Sequence, residues 1–313
     1  MKKKIVLIGL GKIGMMYDFD KPNLFFLSYA KALKQSKKFK FIGAVDISEK
    51  KRKLFQKKYN IKTFKTIDNL LNELNPDIVV ISTPTKSHLE IIMKLINFKK
   101  NITILCEKPV TDNYKKITKI EKFVKGKNIK IFTNYMRLAD PKVLRIKSFI
   151  TKTKSNFFCE VFYNGTLLNS CSHYISLIIN LFGTKYKIEV LKKEKNFFDF
   201  KLIFKNCEVM FFSSSMRKIN YEDIRIINKK RVIYYKNGGQ EIIEEKANLN
   251  PIYKIGNHYN LSKRITDNFY KQSQKFTVDQ LESLFKNKKI LIANLKHAKN
   301  VHYLIKKIYE KKK

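Results

Sequence analysis

Unbroken apolar runs alternate with helix-like periodicity over the first 136 residues of the chain. The runs at 5–8 and 78–81 show no polar alternation, which is typical of strands buried on both faces of a parallel sheet, and a further strand is predicted at 39–45. Helical spacing follows such runs, for example at Leu89, Ile92, Met93 and Ile96. This alternation predicts an α/β fold built on a doubly wound parallel sheet.

The pattern changes after residue 137, where short strand-like runs dominate. Six runs, at 157–163, 188–193, 198–204, 209–213, 223–227 and 232–235, predict an open, mostly antiparallel sheet. One helix is predicted at 172–182, ended by Gly183, and two more near 258–272 and 290–311. Because a domain has about 150 residues on average, we expect two domains, 1–136 and 137–313.

The charge of the chain is extreme, with a formal net charge of +40. Only seven of the 66 basic residues are arginine, and the lysines are spread along the whole chain. Readers of nucleic acid favour arginine for bidentate contacts, so this composition indicates a biased codon usage more than a nucleic-acid interface. We therefore expect no specific nucleic-acid partner, although charge-driven nucleic-acid binding stays open as an alternative function.

The cysteines and the beginning of the chain bear on compartment and membrane. Cys106, Cys159, Cys171 and Cys207 form no C-x-x-C pair and no zinc spacing, so we expect neither a disulfide scaffold nor a metal site. Lys12 interrupts the first apolar stretch, and no run approaches the ~20 residues that cross a bilayer. We therefore expect a cytoplasmic protein without a membrane partner.

A glycine-rich turn follows the first strand and is the first chemical signal. The segment Gly9-Leu10-Gly11-Lys12-Ile13-Gly14 has the G-x-G-x-x-G spacing of a dinucleotide-binding turn. Gly9 would permit the tight turn, Gly11 the approach of a pyrophosphate, and Gly14 the close packing of the next helix on the strand. The pattern predicts a Rossmann domain that binds a nicotinamide dinucleotide.

Asp46 ends the second predicted strand, where an acidic residue hydrogen-bonds the adenosine ribose of NAD. It would repel a 2′-phosphate, so NAD(H) is favoured over NADP(H). The alternative is a structural aspartate at the start of the helix predicted over 48–59. Asp46 lies further from the glycines than usual, and a predicted insertion at 15–27 accounts for the difference. Ser28 is the expected cap of the helix that resumes after it.

Two residues are candidates for proton chemistry. Lys108 follows the fifth predicted strand, in Glu107-Lys108-Pro109, and its ammonium could hold a reacting hydroxyl or carbonyl. The Lys108–Pro109 bond is a candidate for the cis form. His173 lies near the start of the helix at 172–182 and could exchange a proton with the same oxygen. The alternatives are an ordinary surface lysine and a structural histidine.

Several motifs together resemble the Gfo/Idh/MocA (glucose–fructose oxidoreductase/inositol dehydrogenase/MocA) family of NAD(P)-dependent oxidoreductases. They are the glycine-rich turn at 9–14, Gly43-Ala44-Val45-Asp46, Ser82-Thr83-Pro84 with His88, Glu107-Lys108-Pro109, Asn134-Tyr135-Met136-Arg137 with Pro141, and the stretch 165–183. The resemblance covers nearly the whole chain. It implies a Rossmann domain followed by an α/β domain whose large open sheet covers the nicotinamide and often mediates assembly into a homo-oligomer, a dimer or tetramer.

The resemblance also implies an activity. It is hydride transfer between nicotinamide and a hydroxyl or ketone carbon of a small-molecule substrate, a sugar, cyclitol or sugar nucleotide, with surface-polysaccharide biosynthesis as one setting. Lys108 would contact the reacting oxygen and His173 would act as acid/base. The implied cofactor residues are Gly9, Gly11, Lys12, Ile13, Gly14, Asp46, Ser82, Thr83, Pro84, His88, Glu107 and Lys108. The implied substrate residues are Lys108, Tyr135, Arg137, Asn169 and His173.

The chain departs from the family pattern on either side of His173. The family commonly carries aspartate at the positions occupied here by Asn169 and Ser176. Asparagine can position a substrate but cannot relay a proton at neutral pH. A family member that binds the cofactor with weak or no turnover is therefore a second alternative function.

Overall fold

The computed structural model describes residues 2–153, 155–250, 252, 256–267, 269–286 and 290–311. It divides into two compact units, Met1–Ala139 with Tyr270–His302, and Asp140–Phe269 with Tyr303–Lys313. The sequence predicted one division at 136/137, whereas residues 270–302 return to the first unit. Among the described helices, none is long and apolar enough to cross a membrane.

Fifteen strands are present in the described part of the chain. They are β1 Lys3–Ile8, β2 Phe39–Val45, β3 Thr63–Phe64, β4 Ile78–Ile81, β5 Asn101–Cys106, β6 Asn128–Thr133, β7 Phe157–Tyr163, β8 Lys187–Glu194, β9 Phe197–Ile203, β10 Cys207–Ser213, β11 Asp223–Ile227, β12 Arg231–Lys236, β13 Glu241–Leu249, β14 Asn257–Thr266 and β15 Ala293–Asn294.

The α-helices are α1 Tyr29–Gln35, α2 Glu49–Tyr59, α3 Ile67–Leu74, α4 Thr85–Phe98, α5 Tyr114–Val124, α6 Pro141–Lys152, α7 Ser172–Phe182, α8 Ser273–Phe285 and α9 Leu295–Glu310. Side-chain caps start several of them. Ser48 accepts from the Lys51 N–H at α2, Thr66 from Asn69 at α3, and Asn113 from Lys116 at α5.

The first unit contains a seven-stranded sheet in the order β15-β6-β5-β4-β1-β2-β3. Strands β1 to β6 are parallel, and only the short edge strand β15 is antiparallel, paired with β6. This is the doubly wound order predicted from the sequence. Strand β1 lies between β2 and β4, where the strand order reverses, and ligands of such sheets bind beyond the strand ends at that point.

The insertion predicted at 15–27 lies between the glycine-rich turn and α1. The Tyr29 N–H donates to the Ile13 carbonyl (3.0 Å) and the Ala30 N–H to the Gly14 carbonyl (2.8 Å), so α1 continues the turn begun at the glycines. Asp18 closes the base of the insertion, because its carboxylate accepts from the Leu27 N–H, the Ser28 N–H and the Ser28 hydroxyl. Ser28 precedes α1 as expected, but its hydroxyl binds Asp18 instead of capping the helix.

The second unit contains an eight-stranded sheet in the order β14-β13-β12-β11-β7-β10-β9-β8. Its pairs are antiparallel except for the parallel pair of β7 with β10. Aromatic side chains fill its core, with Phe200 and Phe211 stacked at 4.3 Å between ring centroids. The predicted mostly antiparallel sheet is confirmed.

The helix predicted near 258–272 is wrong. Residues 257–266 form β14, which pairs antiparallel with β13, a strand that the sequence did not predict. Tyr259, Leu261 and Ile265 lie at alternate positions in a strand, and this weak period-two signal was missed. The helix of this region begins later, as α8 at Ser273, and packs on α1 in the first unit. The last helix begins at Leu295 instead of 290, because Ala293 and Asn294 pair with β6.

Candidate functional site

The glycine-rich turn has the geometry that its spacing predicts. Gly9 has a φ of +98°, and a Cβ there would lie 2.9 Å from the Ser82 carbonyl. A Cβ at Gly14 would overlap the Gly9 carbonyl oxygen, whereas a Cβ at Gly11 would meet no atom within 4 Å. The first and third glycines are therefore required by packing within the protein, and Gly11 leaves its backbone open on the ligand side.

The carbonyl groups of this turn point toward the residues that follow it in the chain. The Gly11 carbonyl accepts from the Met15 N–H (2.9 Å) and the Met16 N–H (3.1 Å), and the Lys12 carbonyl from the Tyr17 N–H (2.9 Å). The N–H groups of a helical first turn point in the opposite direction, outward from its beginning. Gly11, Lys12 and Ile13 therefore begin a single helical turn, and the N–H groups at such a beginning attract phosphate.

Asp46 is buried at the end of β2 and connects the turn to α2. One carboxylate oxygen accepts from the Leu10 N–H (2.7 Å) and the other from the Ser48 N–H (2.8 Å). Asp46 therefore has the structural role that the sequence left open. Each oxygen retains further acceptor capacity, and Asp46 also lines the cavity described below. The structural and the ribose-binding roles are compatible.

The segment after β4 supports the glycine turn from the opposite side. The Ser82 hydroxyl donates to the Gly9 carbonyl (2.8 Å), so Ser82 fixes the backbone of the turn. His88 is buried on α4, and its two ring nitrogens lie 2.8 Å from the Thr83 carbonyl and 3.0 Å from the Pro109 carbonyl. His88 thereby ties the loop after β4 to the loop after β5, both of which lie at the ligand end of the sheet.

Glu107 is the centre of a hydrogen-bond network beside Lys108. Its Oε1 accepts from the Tyr29 hydroxyl and from the Asn134 amide, each at 2.7 Å. Asn134 in turn donates to Gln274 (3.1 Å) and accepts from the Thr277 hydroxyl (3.0 Å) on α8. Burial and the neighbouring Glu107 carboxylate raise the pKa of Tyr29, so this phenol stays protonated as a donor. The network fixes the backbone that carries Lys108.

Lys108 itself is half-buried, and the Lys108–Pro109 peptide bond is cis, as the sequence suggested. Sequence reasoning missed the network that supports it. Asn134 appeared only as part of a motif, and Gln274 and Thr277 were not considered because α8 was not predicted. The sequence signal that could have revealed Gln274 and Thr277 was their spacing of three residues, which places them on one helix face.

A cavity of about 660 Å³ opens at the carboxyl ends of β1, β2 and β4. Six of the predicted cofactor residues line it: Gly9, Gly11, Asp46, Ser82, Thr83 and Pro84. Charged side chains of both signs also line it, namely Lys51, Lys65, Lys86, Lys94, Asp68 and Glu90. Its volume lies in the range of ligand pockets. The open backbone at Gly11, the acidic acceptor Asp46 and the lysines of the lining together fit a dinucleotide with a pyrophosphate.

The other predicted cofactor and substrate residues of the first unit have different surroundings. Gly14 and His88 are packed behind the cavity-forming loops, and Glu107 lies in the network described above. Tyr135 is fully buried, and burial raises the pKa of its hydroxyl. Arg137 is also buried, in a single 3₁₀ turn at Met136–Ala139. Direct contact of these residues with a ligand stays a prediction.

In the second unit, His173 lies in the first turn of α7 and is 8% exposed. A π-helical turn, Leu167–Cys171, precedes the helix and carries the exposed Asn169. Single π turns inside helices are frequent at functional sites because they displace side chains from regular positions. Ser176, one turn after His173, is fully buried. The structure thus keeps Asn169 and His173 on one short segment, which we name the π segment, residues 167–174.

A carboxylate that the sequence did not single out also touches this segment. Glu222 precedes β11 and accepts hydrogen bonds from the Ser170 hydroxyl (2.8 Å) and the Tyr174 hydroxyl (3.1 Å). More than forty residues separate it from either donor, so no local pattern could reveal it.

Comparison with known proteins supports the predicted family for the N-terminal part of the chain. Residues 3–135 match the GFO_IDH_MocA family, described as an oxidoreductase family with an NAD-binding Rossmann fold. The match does not reach residues 270–302, which complete the first unit.

Curated relatives match less than half of the chain. An uncharacterised oxidoreductase of Schizosaccharomyces pombe is 32% identical over 149 residues, which is 41% of this chain and 40% of that protein. A myo-inositol 2-dehydrogenase of Thermotoga maritima is 24% identical over 145 residues, 46% of this chain and 39% of that protein. The matched region thus spans about two fifths of each relative's length.

Solved structures share the fold of nearly the whole chain. An oxidoreductase of Desulfitobacterium hafniense, described as NADPH-dependent, superimposes with a TM-score of 0.77 and 16% identity over 99% of this chain and 96% of that one. A UDP-N-acetylglucosamine 3-dehydrogenase of Acidithiobacillus ferrooxidans gives 0.74 and 11% over 98% and 97%. The super-repressor mutant of Gal80p from Saccharomyces cerevisiae gives 0.75 and 13% over 99% and 96%. At these identities the likeness establishes the fold alone.

Proposed function

We propose that the protein is an NAD(H)-dependent oxidoreductase acting on a hydroxyl or ketone carbon of a sugar, cyclitol or sugar nucleotide. The observation that carries the proposal is the cavity that Gly9, Gly11, Asp46 and Ser82–Pro84 line, with Lys108 on the next strand end of the same sheet. The dehydrogenases of myo-inositol and of UDP-N-acetylglucosamine among the similar proteins support a polyhydroxylated substrate.

Each group of the chain has a separate task in this proposal. When bound, the nicotinamide cofactor accepts or supplies the hydride of the alcohol–ketone interconversion. The helix start at Gly11–Ile13 holds its pyrophosphate, and Asp46 accepts from a ribose hydroxyl. Lys108 holds the reacting oxygen and stabilises negative charge on it, while His173 takes up or returns the hydroxyl proton.

The choice of NAD(H) over NADP(H) rests on the carboxylate of Asp46, which would repel a 2′-phosphate at that place. Lys51 and Lys65 line the same cavity and act in the opposite direction. The carboxylate is fixed by two backbone N–H groups, so it cannot turn away from the ligand without breaking them. We therefore propose that Asp46 dominates.

Two further expectations belong to the same proposal. The four cysteines are buried and unbridged, which supports a cytoplasmic location.

Phe158 on the central strand β7 is 38% exposed, so helices do not cover one face of the second sheet. This face is the candidate surface for a homo-oligomer, to be measured by light scattering.

Thermal melting with each of NAD⁺, NADH, NADP⁺ and NADPH tests the proposal. A ligand that binds only the folded protein raises Tm in proportion to ln(1 + [L]/Kd). We expect a shift with NAD(H), a smaller shift in Asp46→Ala, and an unchanged shift in the control Asp112→Ala, whose carboxylate is exposed and paired with Lys116. No shift with any of the four ligands, in folded and ligand-free protein, would reject the dehydrogenase.

A second candidate is a cofactor-binding protein without turnover. It is favoured by Asn169 and Ser176 beside His173, and by the occurrence of the same fold in a super-repressor mutant. It predicts an NAD(H)-dependent rise in Tm together with no turnover on a panel of sugars and sugar nucleotides. Turnover that falls in both Lys108→Ala and His173→Ala would exclude it.

Charge-driven nucleic-acid binding makes a separate prediction. Affinity for any sequence would fall steeply with salt, with no base preference. We propose that such binding is non-specific at most, because only seven of the 66 basic residues are arginine and the lysines are spread along the whole chain. A sequence-specific complex that survives physiological salt would contradict this.

A further inference from the structure

The contacts of Glu222 join two segments of the second unit that are distant in the chain. Each carboxylate oxygen accepts from a different hydroxyl, Oε1 from Ser170 at 2.8 Å and Oε2 from Tyr174 at 3.1 Å. The backbone of Glu222 is fixed as well, because its carbonyl accepts from the Gly238 N–H at 2.8 Å. Glu222 is therefore fixed both at its carboxylate and at its backbone, and the residue is half-buried.

The two hydroxyls flank the candidate substrate residues in the sequence. Ser170 and Tyr174 are four residues apart, and so are Asn169 and His173, each one position earlier. Ser170 directly follows Asn169 in the π turn, and Tyr174 directly follows His173 in the first turn of α7. A contact that fixes Ser170 and Tyr174 therefore fixes the backbone next to each candidate residue, and with it the direction in which Asn169 and His173 leave the chain.

The π segment needs such a contact. A π turn is rare in proteins and occurs mostly as a single turn, so contacts from outside the segment are expected to stabilise it. Hydrogen bonds to an ionised carboxylate are about twice as strong as those between neutral groups. Glu222 supplies two of them, one inside the π turn and one in the first turn of α7.

We propose that Glu222 is a positioning residue of the candidate substrate site: it holds Ser170 and Tyr174 and thereby sets the direction of Asn169 and His173. The inference rests on the proposed function for its consequence in turnover, but the contact itself can be tested without activity. Positions 169 and 176 carry no carboxylate in this chain. Glu222, which is distant in the sequence, brings one to the π segment.

The first test is nuclear magnetic resonance of the histidine rings. The chain has five histidines, and the ring signal of His173 is assigned by its loss in His173→Gln. We expect Glu222→Ala to shift or broaden the His173 signal and to leave that of His88, in the other unit, in place. Glu245→Ala is the matched control, because Glu245 is also half-buried in the second unit and accepts a tyrosine hydroxyl, that of Tyr234. A His173 signal that is the same in wild type and Glu222→Ala overturns the proposal.

A second set of variants covers the case in which Glu222→Ala does not fold. Glu222→Gln keeps the shape and one acceptor oxygen, and Ser170→Ala and Tyr174→Phe each remove one donor. We expect each donor variant to move the His173 signal, and at least one of the two donor effects to be smaller in the Glu222→Gln background, where one acceptor oxygen is lost. Independent effects of the three substitutions would contradict a shared contact.

The kinetic test uses any substrate turned over by the wild type. Misplacement of a reacting group by about 1 Å costs on the order of 10²-fold in rate, so we expect a loss of that size in kcat for Glu222→Ala. We expect partial recovery in Glu222→Gln, an unchanged NADH-dependent rise in Tm, and normal kcat in Glu245→Ala. Equal kcat in wild type and Glu222→Ala overturns the proposal, whereas a wild type that does not bind NADH rejects the proposed function and leaves the ring test to decide the contact.

Discussion

The glycine-rich turn of the first unit and the π segment of the second are built in opposite ways. The turn depends on missing side chains within six consecutive residues, and its backbone is fixed by Ser82 and Asp46. The π segment depends on side chains that are present, and its anchor Glu222 comes from another strand connection. A backbone site of the first kind tolerates few substitutions but is visible in a short motif, whereas a side-chain site of the second kind is invisible until the chain is folded.

The largest expected effect concerns Lys108, because its side chain is proposed to contact the reacting oxygen, whereas the neighbouring residues only fix its backbone. Lys108→Ala should lower kcat by about 10²- to 10⁴-fold, the usual contribution of a positioned proton-transfer group. The NADH-dependent rise in Tm should stay, because the cavity keeps its lining. Steady-state kinetics on the best substrate of a sugar panel measures the loss. The exposed Lys115→Ala should behave as wild type, and a similar loss there would show a general charge effect.

Within the glycine turn, two alanine substitutions should separate folding from binding. Gly14→Ala places a methyl group against the Gly9 carbonyl and should lower the free energy of unfolding by about 1–3 kcal/mol. Gly11→Ala meets open space, so its stability should stay near wild type while its affinity for NADH falls. Urea unfolding and NADH titration measure the two quantities. Equal stability losses at both positions would contradict the view that packing within the protein requires Gly14 but not Gly11.

Lowering the pH should change the stability of the two units in opposite directions. Burial lowers the pKa of His302, in the first unit, to about 4, against an unfolded value near 6.5. The unfolded chain binds the extra proton between these values, so stability is lost as pH falls from 6.5 to 4, by up to about 3 kcal/mol. In the second unit, burial raises the pKa of Asp140 above its usual value, and the stability that this carboxyl contributes is present at low pH and lost as pH rises through the raised pKa.

Hydrogen exchange at pH 7 and pH 5 measures this difference unit by unit. We expect protection of the strands β1, β4 and β5 to fall at pH 5 more than that of β7, β10 and β11. In His302→Phe the extra loss in the first unit should disappear. A uniform loss of protection in both units would show that the acid response does not come from these two groups.

The smallest expected effect on cofactor binding concerns Asp18, whose carboxylate closes the base of the insertion at 15–27. Asp18→Asn replaces an acceptor oxygen by a donor and leaves some of the Leu27 and Ser28 hydrogen bonds unmade. Leaving such groups unpaired costs about 1–3 kcal/mol. The loss should appear as faster proteolysis at 19–27 with little change in NADH affinity. A large loss of NADH affinity would show that the insertion contributes to the cofactor cavity.

The sequence predicted those parts of the fold whose signal is local. The unbroken apolar run of β1 and the alternation of β1 to β6 with helices identified the doubly wound sheet, since strands buried on both faces cannot carry regular polar positions. It failed at β13 and β14, where Tyr259 is 37% and Leu261 is 62% exposed. A half-exposed edge hairpin has a mixed pattern, so its pairing and not its periodicity defines it.

The sequence by itself determined the glycine turn, the acidic residue after β2, the lysine after β5 and the family that residues 3–135 match. These features depend on conformations and spacings that a few neighbouring residues enforce. Only the tertiary structure decided the network of Glu107 with Tyr29 and Asn134, the return of α8 to the first unit, and the contact of Glu222 with the π segment. The physical reason is that a hydrogen bond between residues 27 to 78 positions apart depends on how the strands are ordered in their sheets, which no local pattern encodes.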